Sequence, residues 1–267
     1  MATLATPIVK RRDWRTIVFV VLTGLFGLLV VGSAIPDLLA PWFNSQGPAT
    51  PGDTPELHRW HAAQWGALKA VLIGGSLLAL LWRPRAKPLL IQFVGLGVGI
   101  LALLGGTLDP RIFVILWPFL LVIAAYPMPR ALLDVSREVP LSRPLLALSL
   151  LAAVLLAPYA WRSLIWQLAG VGEHAAQFHW IESVIISIML VLAGVLAATK
   201  RPGWRALGII VGLAFVYLGA AALQVPYHDG SWGTTGGMLS TLGGWGFIAA
   251  TVWEARKPRG VPARAEA

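Results

Sequence analysis

Four of the five histidines in this chain fall in two short clusters, His58 with His61 and His174 with His179. An unperturbed imidazole titrates near pH 6.5, so close to neutrality it can offer a nitrogen lone pair to a metal ion. Acids accompany the clusters: Glu56 precedes the first, Glu173 precedes the second, and His228 stands beside Asp229 further on. Two imidazoles converging from different helices could ligate a haem iron or a divalent metal ion, with His61 and His179 as the ligand pair. His58 and His174 are further cofactor-binding candidates, and Glu56 and Glu173 could orient ring nitrogens as carboxylate acceptors. The plainer alternative is that these residues, with His228 and Asp229, form only the polar outer face of a membrane protein.

His61 and His179 are singled out by a repeat. The stretch from Glu56 to Lys87 opens with histidines, runs apolar for about a membrane's thickness and closes on a basic Arg-Pro turn. His179 to Arg205 follows the same plan. A shift of 118 residues places His61 on His179, Arg83-Pro84 on Arg201-Pro202, and Lys87 on Arg205. These landmarks at one spacing read as an internal duplication.

The composition says where such a plan belongs. Of 267 residues, 57% are hydrophobic and 12% charged, whereas charged residues make up about a quarter of a soluble domain. With a mean hydropathy of +0.73, the long uncharged runs predict a polytopic helical membrane protein. The net charge of +9 does not indicate nucleic acid, because the cations sit at the ends of apolar runs rather than along one face. The absence of cysteine excludes disulfides, thiolate metal sites and c-type haem attachment.

The hydropathy pattern predicts an all-α bundle of eight transmembrane helices, at about 16–32, 58–82, 89–108, 111–126, 144–159, 178–199, 204–223 and 237–253. They divide into a first four-helix half (1–128), a connector (129–142), a second half (143–254) and a basic tail (255–267). A signal peptide competes for the first apolar run, but the second half has an equivalent helix, so a retained segment is expected. IPDLLAPWF after the first helix and WRSLIWQLAG after the fifth are expected to lie in the membrane interface. All Lys and Arg residues except Arg59, Lys69, Arg111 and Arg162 fall on one side of this arrangement. The positive-inside rule then predicts a multi-pass protein of the cell membrane with both termini cytoplasmic. Halves of even helix number enter the membrane in the same direction, so the duplication is parallel rather than inverted.

Two charges fall inside the apolar runs. Lys69 lies two turns below His61, and Glu182 about one turn below His179. A lone charge at the centre of a bilayer costs about 2.5 kcal/mol or more, so each needs a partner. The expectation is an intramembrane pair of Lys69 with Glu182, either fixing helix two against helix six or coupling protons or a substrate across a cavity.

Three classes of function follow. The first is a haem- or metal-binding redox or assembly protein using the outer histidine and acid site between helices two and six. The second is a small-solute or proton-coupled transporter using Lys69 and Glu182. The third is a non-catalytic accessory subunit packed against a membrane-protein partner or a second copy of itself. The bilayer is the expected environment in each case, and no nucleic acid is expected. Glu56-Leu57-His58-Arg59 resembles the Glu and His-Arg of the second helix of haem A synthases, which also have two four-helix halves. That resemblance implies haem chemistry at the outer histidines. Helices four and eight here have none of the family's further histidines, and its outer-loop cysteine pair is absent.

Overall fold

The computed structural model describes residues 13–43, 58–106, 112–133 and 140–257. Glu56, the Asp109-Pro110 turn, Arg137, the basic cluster before Asp13 and the basic tail after Lys257 lie outside them. Among the described residues the chain is helical, with no strand. In order, the helices are α1 (Trp14–Ser33), α2 (Ile35–Leu39), α3 (Arg59–Leu81), α4 (Pro88–Gly105), α5 (Ile112–Ala124), α6 (Arg130–Leu133), α7 (Arg143–Leu168), α8 (Gly172–Ala176), α9 (His179–Ala198), α10 (Trp204–Gln224) and α11 (Gly233–Arg256).

Six of these helices, α1, α3, α4, α7, α9 and α10, are long and apolar enough to cross a membrane. The other two predicted spans fall short for different reasons. Helix α5 has 13 residues and an internal Pro118, which makes it about 20 Å long against a hydrocarbon core of about 30 Å. Helix α11 has 24 residues, a sufficient length, but its glycines, threonines and serine dilute its hydropathy.

One interfacial expectation is corrected. WRSLIWQL does not lie as a separate segment but forms the last turns of α7, a continuous helix of 26 residues. At 1.5 Å per residue that helix is about 39 Å long and outreaches a bilayer core. IPDLL does form a separate short helix, α2, and it docks on protein. A Cβ on Gly66 of α3 would lie 2.8 Å from the backbone nitrogen of Leu38, so glycine is what admits α2 at this distance. Arg59 Nε donates to Ala40 O at 2.9 Å, and Tyr217 Oη of α10 donates to Leu38 O at 2.9 Å.

The core runs through α3, α9 and α10, whose apolar stretches are mostly buried, whereas α1 and α7 expose most of theirs. Leu25, Leu28 and Leu29 of α1 and Leu150, Leu151 and Val154 of α7 form these exposed apolar faces. Small residues set the closest contact. A Cβ on Gly219 would come within 2.6 Å of Thr241 N and 2.7 Å of Gly237 O, and one on Gly212 within 2.8 Å of Gly244 O. Helices α10 and α11 therefore touch backbone to backbone.

At the end of the bundle that carries most cations, the α3–α4 and α9–α10 turns lie side by side. Leu89 N donates to Pro202 O at 3.2 Å, and Gly203, at φ +106°, packs on Lys87 Cα. Lys200 and Lys257 both pair with Glu254 of α11, and Arg85 pairs with Asp13 at 3.0 Å. The opposite end of α3 and α9 carries the histidines.

Candidate functional site

Helix α3 begins immediately after His58 and carries His61 in its first turn; α9 begins at His179. His174 sits on the short helix α8, and the local backbone folds it back toward α3. Gly170 and Gly172 take left-handed φ values of +66° and +67°, and Phe178, just before α9, takes +62°. A left-handed turn suits glycine but is unusual for phenylalanine. Gln167 Nε2 donating to Ala175 O at 2.9 Å and Trp180 Nε1 donating to Val171 O at 3.1 Å hold the fold-back in place.

The result is one cluster of four imidazoles. Ring centroids lie 5.1 Å apart for His58–His174, 4.8 Å for His58–His179, 4.8 Å for His61–His174, 5.0 Å for His61–His179 and 5.8 Å for His174–His179. Trp180 floors it, stacked on His174 at 5.0 Å and edge-on to His61 at 5.3 Å, with Trp166 behind. The loop after α10 passes over the top, and a Cβ on Gly230 would sit 3.7 Å from His61 Cε1. His61 is 1% exposed, and neither of its ring nitrogens makes a hydrogen bond of good geometry, although the Gln64 side chain lies close enough to act on it. Leaving a buried polar group unsatisfied costs about 1–3 kcal/mol, so an imidazole without a good hydrogen bond at either nitrogen asks for a ligand.

The remaining expected site residues are placed as follows. Glu182 Oε2 accepts from His179 Nδ1 at 3.2 Å, and Gln177 faces His179 Nε2 at 2.9 Å. Glu173 is exposed on α8, Asp229 is exposed in the loop over the cluster, and His228 is half-buried beside it. The expected ion pair of Lys69 with Glu182 is corrected: Lys69 Nζ meets Asp37 Oδ2 at 2.5 Å. Docking of α2 against Gly66, one turn before Lys69 on the same face, brings this carboxylate within reach. Lys69 and Asp37 are still close enough to Glu182 to act on its charge.

Sequence reasoning passed over Gln64 and Ser183. Ser183 Oγ donates to Gln64 Oε1 at 2.7 Å, and both residues are buried. The bond joins α3 to α9 one turn beneath His61 and His179. A signal for it was present: the tetrapeptide His-Ala-Ala-Gln occurs twice, as His61 to Gln64 and as His174 to Gln177.

The cluster discriminates between cofactors. With metal–nitrogen bonds of about 2.1 Å, a ring centre stands roughly 3.2 Å from the ion, so four tetrahedral imidazoles would have centres about 5.2 Å apart. The separations of 4.8–5.8 Å bracket that value. Two axial imidazoles on a haem would instead need centres about 6.4 Å apart on opposite faces of a porphyrin. His61 and His179 are stacked at 16° with their ring centres 5.0 Å apart, closer than the two axial ligands of one haem would stand.

These five separations suit a single ion, but the ring orientations do not converge on one. As the side chains stand, no group of three His, Asp or Glu among the described residues is arranged to hold a metal ion. Histidine χ2 is a broad, soft torsion, so turning the rings in place is a modest demand. The N-termini of α3 and α9 both point toward the cluster and disfavour a cation by about 0.3–1 kcal/mol each. That is small beside the roughly 10–16 kcal/mol of a structural zinc site.

The chain matches no family model, no curated protein and no solved structure.

Proposed function

We propose that this chain is a multi-pass protein of the cell membrane that holds one transition-metal ion at the outer leaflet between α3 and α9. His58, His61, His174 and His179 supply the imidazoles, and the ion serves a redox or assembly role. The observation that carries the reading is His61, buried among three other imidazoles with neither nitrogen in a hydrogen bond of good geometry. Imidazole donors suit zinc, copper, nickel and iron ions. Glu182, through Nδ1 of His179, is the carboxylate that commonly backs a metal-binding histidine, and Nε2 would leave its contact with Gln177 for the ion.

The topology that goes with this function has eight crossings in two parallel four-helix halves, both termini cytoplasmic. The neighbouring Arg83 and Arg201 turns support it, as does the gathering of Arg15, Arg85, Arg143, Lys200 and Arg256 at the end away from the histidines. Helices α5 and α11 are then the fourth and eighth crossings, α11 on length. The pairing of Lys69 with Asp37 gives that ammonium a structural partner.

Equilibrium dialysis of the detergent-purified protein against zinc should saturate at one ion per chain, and His61→Ala should abolish tight binding. No saturable binding, or unchanged binding by His61→Ala, would overturn the reading.

A further inference from the structure

A second site lies lower in the bundle. Helices α1, α3, α4 and α5 leave a cleft of about 380 Å³ between them, with apolar walls from Phe26, Leu29, Ile73, Leu101 and Phe119. Toward the histidine end Ser33, Lys69 and Trp65 join a lining that is otherwise apolar. The cleft of about 400 Å³ between α7 and α11, by contrast, has no Lys, Arg, Asp or Glu in its lining.

Lys69 is what gives the first cleft a chemistry. Its ammonium carries three donors. One side is taken by Asp37 at 2.5 Å and another rests 5.5 Å from the centre of the Trp65 ring. Donor capacity therefore remains for an acceptor entering the cleft. The acceptor is best neutral, because Asp37 already balances Lys69. Aromatic side chains at Phe26, Trp65 and Phe119 favour a flat ring over a bare ester. Two π-helical stretches border the cleft, Ala67–Gly74 in α3 and Leu101–Gly105 at the end of α4. Such departures from α-helical register frequently mark functional sites.

We infer that this cleft binds a lipid-soluble quinone, its ring carbonyl accepting from Lys69 and its apolar tail lying along α1 and α5 toward the lipid. The inference does not rest on the metal site, and His61→Ala should leave it intact.

The test uses the full chain in detergent, titrated with a decyl-tailed dimethoxybenzoquinone and followed by quenching of tryptophan fluorescence. Binding should saturate at one quinone per chain. Two variants probe the seat. Lys69→Met combined with Asp37→Asn removes the donor without stranding its partner. Leu29→Trp, at an exposed wall position, blocks the mouth and leaves the charges alone. Each should bind about tenfold more weakly, the loss expected for one charge-assisted hydrogen bond or its equivalent in contact. Absence of saturable binding, or wild-type affinity in both variants, overturns the inference. Displacement of the quinone by equimolar phosphatidylcholine would also overturn it, by making the cleft a seat for glycerolipid.

Discussion

At Lys69 an ammonium stands well inside an apolar helix and is tolerated because Asp37 is delivered to it from a different segment. The two side chains are 26% and 21% exposed, so stranding either is expected to cost on the order of 1–2 kcal/mol, below the roughly 3–5 kcal/mol of a fully buried pair. In a double-mutant cycle on thermal stability, Lys69→Met and Asp37→Asn should show clear positive coupling. Lys69→Met with Glu182→Gln should couple more weakly. The reverse order would mean that Lys69 prefers Glu182 and that α2 is misplaced. Residue type and spacing single out His58, His61, His174 and His179, and the structure gathers their rings into one cluster. Type and spacing were not enough to find Asp37, since which loop docks on Gly66 is a matter of shape that no local pattern encodes.

At the scale of elements, glycines separate packing from propensity. Replacing glycine by alanine inside a helix is worth about 0.8–1 kcal/mol in its favour where space allows. At Gly99 a Cβ would meet nothing within 4 Å, whereas at Gly219 it would fall 2.6 Å from Thr241 N and 2.7 Å from Gly237 O. Gly99→Ala should therefore leave the melting temperature in detergent unchanged or raise it. Gly219→Ala should lower it, since overpacking a tight contact costs about 1–3 kcal/mol. Equal effects at both positions would contradict the backbone contact of α10 with α11. The long apolar helices were legible from hydropathy alone. The run of α7 through Trp161 and Trp166 was not, because tryptophan and arginine at a helix end look the same whether the chain turns along the interface or continues outward. The π-helical stretch in α3 was equally hidden, since its residues have no distinguishing composition.

For the whole molecule, the charge distribution carries the proposed orientation. The chain has no native cysteine, so single introduced cysteines can be labelled without background. Arg85→Cys should react with an impermeant maleimide only after the cells are permeabilised, and His228→Cys should react from outside. Labelling at 85 in intact cells would overturn the assignment of sides. The duplication was read from a handful of landmarks. In the structure the Arg83 and Arg201 turns lie side by side, with Leu89 N donating to Pro202 O at 3.2 Å.

The central claim is that four imidazoles close on one ion, and X-ray absorption at the metal edge of the zinc-loaded protein addresses it most directly. The account predicts a first shell of nitrogen alone, about four atoms at roughly 2.0–2.1 Å, with the outer-shell scattering of imidazole rings. It also predicts that His174→Ala lowers the number of ring scatterers by one. A shell dominated by oxygen at the length of bound water, unchanged by that substitution, would contradict it.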